Sequence, residues 1–283
     1  MSRELIVEQS DPLQYSIFDP TGNITALVES PVPVVRQPAV AAELMARHPE
    51  VEQVGFVRYA DPAPTDGSAP AALRMAGGEF CGNAAMSAAA LYLLRRGSEA
   101  VEPETVRLQV SGAAEPVEVR LSREDADCFR AAVRMPPAQA VEEKKLRFAD
   151  LCGRLPLVRM EGISHIIVEP GSLFFPLLED RAAAEGAVRA WCRELSADGL
   201  GLMFLMEDAD GYRLTPLVYV PGSGTVFWEN ACASGSSAVG MALAVRTGKA
   251  VDLSLRQPGG LLRVESDPAS GETWLYGRTR LVK

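Results

Sequence analysis

Residues 77–83, Gly-Gly-Glu-Phe-Cys-Gly-Asn, and residues 228–235, Trp-Glu-Asn-Ala-Cys-Ala-Ser-Gly, place two cysteines in matching surroundings. Cys81 and Cys232 are each followed by a run of small and apolar residues that an arginine and a glycine close. A glycine after such a run is typical of a helix C-terminus. Each stretch therefore predicts a cysteine at the start of a helix, and two such units can bring two thiols to face each other across one ligand.

Two further landmarks repeat in the same order around these stretches. Residues 21–29 and 161–169 align without a gap, and each segment is typical of a turn that feeds a strand. Downstream of each cysteine, residues 106–121 and 251–264 have the pattern of a hairpin with a glycine-containing break. Three landmarks in one order indicate that the chain contains an internal duplication.

This repetition predicts an α+β protein with two similar halves. We expect the first half to span residues 1–125 and the second residues 126–271, with a last strand at about 272–283 joining the first half. Strands should outnumber helices. Outside the two cysteine helices, we expect helices at residues 39–47, 143–152 and 182–196, and the main loop at residues 61–70.

The composition limits the partners that this chain can have. A net charge of −9 disfavours nucleic acid and anionic membranes, which bind basic faces. At 283 residues the chain can build two domains with their own cores, and no run is apolar enough to span a membrane. Residues 1–10 lack an apolar signal core, and the five cysteines show no CxxC spacing. We therefore expect a cytoplasmic monomer or homodimer that acts on a small molecule.

Several common chemistries lack the residues that they need. The chain has only two histidines, and it has neither HExxH nor paired cysteines at zinc-ligand spacing. It has no GxGxxG and no Walker-type loop for a nucleotide. Its lysines lie in a charged run, after a helix end and at the C-terminus, so none suggests a Schiff base with pyridoxal phosphate. We expect no metal and no cofactor, and side chains that perform the chemistry.

Helix N-termini give the two cysteines a specific chemistry. The positive end of the helix dipole and the free backbone N–H groups favour a thiolate and bind a carboxylate. Between two facing termini, one sulfur as thiolate would remove the α-proton of a bound amino acid, and the other as thiol would return a proton to the opposite face. Cys81 and Cys232 are therefore the candidate acid–base pair. Small neighbours let the backbone approach a ligand, which makes binding candidates of Gly82, Asn83, Ala233, Ser234 and Gly235.

These motifs resemble those of the diaminopimelate epimerase and proline racemase superfamily, in which Cys-Gly-Asn and Cys-Gly-Ser/Thr begin opposing helices. The resemblance covers essentially the whole chain. It implies two domains, each a curved, mostly antiparallel sheet around a central cysteine-bearing helix, with the active site in the cleft between them. It also implies that Cys81 and Cys232 exchange the proton. Asn23 falls at a substrate-pocket asparagine of the family, and His165 at the histidine of an Asn-Pro-His turn.

Two departures from diaminopimelate epimerase narrow the range of possible substrates. Val220-Pro221 replaces the Glu-Arg that grips the far end of diaminopimelate, and Ile-Ser-His at residues 163–165 replaces Asn-Pro-His. With the cysteine motifs, these forms resemble the histidine racemases that make D-histidine for staphylopine-type opine metallophores. That resemblance implies conversion of L-histidine to D-histidine without a cofactor. Glu79 and Glu229 are then candidates for contacting the α-amino group or the imidazole.

Other interpretations of the same residues stay open. The substrate could be diaminopimelate, proline or hydroxyproline, or the cleft could bind an amino acid without reacting. The two cysteines could form a thiol–disulfide switch, although that use normally has CxxC. A cysteine hydrolase that uses His165 would leave the second cysteine motif unexplained. Taken singly, a cysteine is often a buried apolar residue, and Asn23, Glu79 and Glu229 could serve a turn or a helix dipole.

Overall fold

The computed structural model describes residues 12–60, 68–100, 102–209 and 211–283. Residues 1–10, on which the expectation about a signal peptide rests, lie outside the described residues, as do residues 61–67 of the expected loop. Within the described ranges the chain forms sixteen strands and four α-helices. None of these helices is long and apolar enough to cross a membrane.

The first half of the chain builds seven strands and two helices. Their bounds are Tyr15–Asp19 (β1), Thr25–Val28 (β2), Gln37–Arg47 (α1), Gln53–Tyr59 (β3), Ala71–Met75 (β4), Gly82–Arg95 (α2), Glu104–Val110 (β5), Val117–Arg123 (β6) and Cys128–Arg134 (β7). The strands pair in chain order. The β2–β3 and β4–β5 pairs are parallel, whereas β1–β2, β3–β4, β5–β6 and β6–β7 are antiparallel.

The second half repeats this order of pairings and adds two strands. Its elements are Ala140–Phe148 (β8), Leu151–Met160 (β9), Ile163–Val168 (β10), Arg181–Glu194 (α3), Leu200–Asp208 (β11), Gly211–Val220 (β12), Thr225–Trp228 (β13), Ala233–Thr247 (α4), Val251–Gln257 (β14), Gly260–Ser266 (β15) and Thr273–Leu281 (β16). Here β10–β11 and β12–β14 are parallel, and β9–β10, β11–β12, β14–β15 and β15–β16 are antiparallel. The additional strands are β8, which pairs with β9, and β13, which pairs with β12.

The C-terminal strand connects the two halves. Strand β16 pairs with β15 on one edge and with β7 on the other, and it also pairs with β1. The sheet of the first half thereby closes into a barrel, and α2 contacts β2 to β7 and β16. The protein therefore has an α+β fold with a sheet barrel and few helices.

The two cysteine helices are buried because they are apolar on every side. Residues 82–94 of α2 and 233–245 of α4 carry no charged side chain, and alanine, glycine and serine dominate both runs. A helix without a polar face is stable only inside a core. Accordingly, residues 82–93 and 233–244 are buried, and the charged residues Arg95 and Arg246 come only at the helix ends.

Most predicted elements are confirmed, and one is wrong. The helices expected at residues 39–47 and 182–196 are α1 and α3, and both expected hairpins form, as β5–β6 and β14–β15. The helix expected at residues 143–152 is instead the hairpin of β8 and β9. Its Glu and Lys residues suggested a helix, but β8 is an edge strand, where charged side chains face solvent and discourage further pairing.

Each half touches the other through a glycine of a turn and a glycine of a hairpin. A β-carbon on Gly22 would lie 2.5 Å from Cα of Gly259, and one on Gly162 would lie 2.8 Å from Cα of Gly112. In both contacts the turn that feeds the second strand of one half meets the hairpin of the other half. These close backbone contacts hold the halves together on two sides of the buried helices, and they need glycine.

We expect Gly112→Ala to lower the free energy of unfolding by about 2–4 kcal/mol. Gly112 has a φ of +70°, and an added β-carbon would lie 2.4 Å from the backbone nitrogen of Phe80. Gly97→Ala is the matched control, since its φ of +64° is similar but no atom lies within 4 Å of an added β-carbon. That variant should lose only about 1 kcal/mol in urea unfolding. Equal losses in the two variants would show that the close packing of Gly112 against Phe80 contributes nothing.

Candidate active site

Both candidate thiols lie at helix starts. Cys81 directly precedes α2, and Cys232 directly precedes α4, each in extended backbone conformation. The N–H of Ala84 points at Cys81 Sγ at 3.4 Å, and the N–H of Gly235 points at Cys232 Sγ, also at 3.4 Å. Each sulfur therefore caps its own helix.

The N-termini of the two helices meet. A β-carbon on Gly82 would lie 3.0 Å from Cβ of Ala233. Next along α2, Asn83 is buried, and its Nδ2 donates to the carbonyl of Ala231 at 2.9 Å, across the junction of the two halves. The first turns of α2 and α4 are therefore packed against each other, with a thiol at the start of each.

These helix starts leave donors for an anion. The first N–H groups of a helix have no intrahelical acceptor, and only some are capped here. Within the described part of the chain, no hydrogen bond occupies the N–H groups of Gly82 and Asn83 or those of Ala233 and Ser234. The dipoles of α2 and α4 add positive potential at the same place. A carboxylate placed between the two starts would find both donors and favourable charge.

Polar side chains from the strands of the first half surround Cys81. The thiol donates to Oε1 of Gln53 at 3.2 Å. Nε2 of Gln53 donates in turn to Oδ1 of Asn23 at 2.5 Å and to Oγ1 of Thr25 at 2.8 Å. Asn23 Nδ2 donates to a Glu52 carboxyl oxygen at 2.6 Å. Asn23 is buried, so this chain of bonds fixes its amide next to the first thiol.

Cys232 has a different set of neighbours. Its backbone N–H donates to Oε1 of Gln257 at 2.8 Å, and Nε2 of Gln257 donates to Oγ of Ser236 at 2.9 Å. The hydroxyl of Ser234 lies 3.7 Å from Cys232 Sγ. The carboxyl of Glu229 lies within hydrogen-bonding reach of the same sulfur. The second thiol therefore has a proton-accepting neighbour, whereas the neighbour of Cys81 is an amide.

A cavity of about 270 Å³ adjoins both thiols through these neighbours. It lies between α1, β3 and the segment before α2 on one side, and β12 and β13 on the other. Its charged lining side chains are all acidic, Gln53, Ser223 and Thr225 add neutral polar groups, and the rest of its wall is apolar. The lining side chains that bear on chemistry are Glu52, Gln53, Glu79, Glu229, Met45, Val218, Val220 and Phe227.

Burial keeps the cavity carboxyls protonated up to a higher pH than is usual for Glu. Desolvation raises the pKa of Glu229 to about 8, and the nearby Glu52 and Glu79 raise it further. Burial also raises the pKa values of Glu52 and Glu79, although the Arg74 guanidinium acts against this at Glu79. One oxygen of Glu79 is buried without a hydrogen-bond partner. A cationic ligand in this cavity would lower all three pKa values and pair with the carboxylates.

The resting thiols differ from the expectation of a stabilised thiolate. Desolvation raises the pKa of Cys81 to about 12, and the N–H of Ala84 only partly opposes this. Desolvation raises the pKa of Cys232 well above 9.0, and Glu229 raises it further. The helix N-termini do point at the sulfurs, as the sequence indicated, but loss of water outweighs them. Both thiols are therefore protonated in the ligand-free protein.

His165 lies apart from the cavity. It is fully buried on β10, neither ring nitrogen has a hydrogen-bond partner, and desolvation lowers its pKa to about 3. A β-carbon on Gly201 would lie 2.3 Å from its Nδ1, and one on Gly235 would lie 2.0 Å from Sδ of Met203. Cε of Met203 would likewise lie 2.6 Å from a β-carbon on Gly201. The structure thus places His165 behind Met203, as a neutral ring that does not line the cavity.

Sequence reasoning missed three polar residues around the site: Glu52 and Gln53, which line the cavity, and Gln257, which holds the backbone of Cys232. Glu52, Gln53 and Gln257 lie on or beside strands far from either cysteine in the chain, and no motif spacing marks them. The one available signal is the polar Glu52-Gln53 pair directly before an apolar strand. Among the described residues, no group of three His, Cys, Asp or Glu side chains is arranged to hold a metal ion.

Because the pKa of Glu229 is raised in the folded protein, the free energy of unfolding should fall as pH rises. The folded protein holds this proton up to about 8, whereas the unfolded chain releases it near 4.5. The stabilisation is therefore complete below pH 4.5 and is lost as pH rises to about 8, by at most about 1.4 kcal/mol per pH unit. Glu229→Gln should flatten this slope in urea unfolding between pH 5 and 8. Identical slopes for the variant and the parent protein would contradict the assignment.

Comparisons with known proteins agree on one family. The model of the histidine racemase CntK N-terminal domain matches residues 12–274. A histidine racemase of Fusobacterium nucleatum subsp. nucleatum is 31% identical over 280 residues, which cover 95% of this chain and 95% of that protein. A histidine racemase of Staphylococcus aureus is 28% identical over 260 residues, covering 90% and 88%. A solved hydroxyproline epimerase from Agrobacterium vitis, with bound trans-4-OH-L-proline, shares the fold at 16% identity, with a TM-score of 0.66 and coverage of 96% and 91%.

Proposed function

The chain belongs to the histidine racemase family, and from this membership we propose that it interconverts L-histidine and D-histidine without a cofactor. It is an amino-acid racemase, and so an isomerase. The observation that carries the proposal for this site is the meeting of two helix N-termini, each capped by a cysteine, beside an acidic cavity.

The proposed reaction uses one sulfur on each face of the α-carbon. Cys81 or Cys232, as thiolate, takes the α-proton, and the C–H electron pair passes into the substrate carboxylate. The other cysteine, as thiol, gives its proton to the opposite face of the carbanion. The product has the inverted configuration, and the sulfurs have exchanged protonation states. Acid–base assistance of this kind contributes roughly 10²- to 10⁴-fold.

The helix starts support a position for the substrate carboxylate. We place it against the N–H groups of Gly82 and Asn83 from one helix and Ala233 and Ser234 from the other. Gly235 supports this placement because its N–H holds the second sulfur in position. Charge that accumulates on the carboxylate as the proton leaves is then stabilised by donors already in place.

The acidic cavity supports positions for the cationic groups of the substrate. We assign the α-ammonium and the imidazole to the cavity bounded by Glu79 and Glu229, with Asn23 holding Glu52 at its edge. Entry of a cation makes ionised carboxylates favourable, and Glu229 can then accept the proton of Cys232. His165 would act only indirectly, through Met203, if its family position is functional here.

The apolar side of the cavity favours histidine over diaminopimelate. Val220 lines it where diaminopimelate epimerase has a charged residue for the far end of its substrate, and Val218 lines it beside Val220. Since a buried ionic group needs a partner, a second ammonium-carboxylate end would be costly here. An imidazole needs fewer polar partners and can stack on Phe227 or pack against the valines.

The repeated pairings support the proposed duplication. We propose halves at residues 1–125 and 126–271, each with its cysteine helix inside a curved sheet, and both β7 and β16 as strands that return to the sheet of the first half. The five cysteines are all free, which supports a reducing, cytoplasmic location. We further propose that the protein works as a monomer or homodimer and supplies D-histidine for opine metallophore synthesis.

A substrate panel tests the assignment. Purified, reduced protein is incubated with L-histidine, L-proline, trans-4-hydroxy-L-proline and LL-diaminopimelate, and inversion is followed by chiral chromatography. We expect kcat/KM for L-histidine to exceed that for each other amino acid by at least about 100-fold, since the cavity discriminates by buried polar groups. Preference for another member of the panel would keep the reaction class and refute histidine. Binding of histidine without inversion of any member would support the binding-module alternative.

A further inference from the structure

A second pocket lies behind the segment that carries Glu79. It has a volume of about 370 Å³ and lies between the start of α1, strands β3 and β4, and the β5–β6 turn. The two charged side chains in its lining are Arg58 and Arg74, and no carboxylate of the described residues lines it. Its other polar lining residues are Gln37, Gln109 and Ser111. Its charge is therefore opposite to that of the catalytic cavity.

The two arginines project from the same face of adjacent strands. In the β3–β4 ladder Arg58 pairs with Ala72, and Arg74 pairs with Phe56. The arginines are therefore diagonal neighbours, with β-carbons about 7–8 Å apart, close enough for two guanidinium groups to reach one ligand. Like charges in this arrangement repel each other when nothing lies between them.

Neither arginine is held in a hydrogen bond or a contact ion pair, although Arg74 is near enough to Glu79 to lower the pKa of that carboxyl. Within the described chain, no ion pair or hydrogen bond is formed by Arg58 or Arg74, whereas arginines such as Arg95, Arg246 and Arg280 each hold a carboxylate. Arg74 is constrained instead by the backbone, with Nη1 3.0 Å from the β-carbon position of Gly78. Two unpaired guanidinium groups in a chain of net charge −9 indicate a site for an external anion.

The far wall of the pocket also has an unmet polar atom. Gln37 is 2% exposed, its Nε2 donates to the carbonyl of Val32 at 3.2 Å, and its Oε1 has no hydrogen-bond partner. Gln37 is the first residue of α1, whose N-terminus has no side-chain cap and no acidic residue in its first turn. This oxygen is closed off from solvent, and the N–H of Gln37 is already bonded to the carbonyl of Val34, so this wall shapes the pocket and offers the ligand no hydrogen bond.

We propose that this pocket binds a small oxyanion, a phosphate or carboxylate group, between Arg58 and Arg74. The two guanidinium groups hold the charged oxygens of the anion. The pocket adjoins the catalytic cavity, since the Arg74 guanidinium lies against Gly78, directly before Glu79, and lowers the pKa of that carboxyl. An anion that neutralises Arg74 weakens this effect, and so weakens binding of a cationic substrate at Glu79.

Inorganic phosphate and citrate are the probes, with chloride at matched ionic strength as the reference. We expect 10 mM phosphate or citrate to raise the melting temperature of the full-length protein, because a ligand of the folded state stabilises it. Titration calorimetry should give a Kd at least tenfold weaker for Arg58→Gln and for Arg74→Gln. Arg130→Gln is the control, since Arg130 is exposed and already paired with Glu124. It should bind as the parent protein does.

The probe that binds more tightly, phosphate or citrate, identifies the class of anion that the pocket prefers. No calorimetric binding of either anion to the parent protein would overturn the site, as would equal Kd values in all four proteins. For the coupling, saturating anion should raise KM for L-histidine in the parent protein and not in Arg74→Gln. Anion binding with an unchanged KM would refute the coupling. These binding readouts need no racemisation, so a failure of the proposed function is seen separately.

Discussion

Cys81→Ser and Cys232→Ser should each reduce the racemisation rate by at least about 1,000-fold. A serine hydroxyl is a far weaker acid than a thiol. A serine in the place of the base therefore cannot ionise to take the α-proton, and a serine in the place of the acid gives up its proton too slowly. In the proposed mechanism each cysteine serves one face of the substrate, so the remaining thiol cannot replace the lost one. The measurement is the rate of D-histidine formation by chiral chromatography, from either enantiomer.

Cys152→Ser is the matched control. Cys152 is partly buried on β9, outside both the helix starts and the cavity, and should keep full activity. Circular dichroism and urea unfolding should show that both helix-start variants remain folded, since serine also caps helices well. Full activity in either folded variant would refute the two-thiol mechanism.

Glu229→Gln should abolish most of the activity. It should also remove one ionisation from the pH profile of kcat/KM. With the pKa of Glu229 at about 8 in the free protein, kcat/KM should rise with pH and level off above about pH 8. The reason is that only the ionised carboxylate can pair with the substrate cation or accept the proton of Cys232. The variant should lose the bend near pH 8, and its kcat/KM at pH 9 should be about 100-fold lower.

Glu142→Gln provides the control for loss of one negative charge. Glu142 lies on the edge strand β8, paired with Arg159 and away from the cavity. Its profile should match that of the parent protein. A bend near pH 8 that persists in Glu229→Gln would assign that ionisation to another group and remove Glu229 from the proton path.

Local sequence signals were sufficient for the two cysteine helices. The apolar runs after Cys81 and Cys232 fix buried helices, and the repeated glycines mark the turns and hairpins that touch across the halves. The duplicated order of these signals also predicted that the helix starts would come together, and Gly82 does contact Ala233. The helix predicted at residues 143–152 was wrong, because strand pairing at the sheet edge outweighed the helix preference of the Glu and Lys residues.

The proton environment of the site could not be predicted from the sequence. Gln53 reaches Cys81 only because β3 pairs beside β2, and Gln257 reaches Cys232 from the end of β14. The pKa values of the thiols depend on how completely water is excluded, which is a property of the packed halves. His165 shows the same limit, because its motif indicated a pocket but the strand places it in the core.

The most direct test of the two-thiol account is the early time course in D₂O with L-histidine and reduced protein. Mass spectrometry of the separated enantiomers gives the deuterium content of each at low conversion. The account predicts that D-histidine carries deuterium at the α-carbon from the first turnover, while the remaining L-histidine keeps its protium. Newly formed D-histidine that retains the original α-proton would mean that one group removes and returns it, and would contradict two thiols on opposite faces.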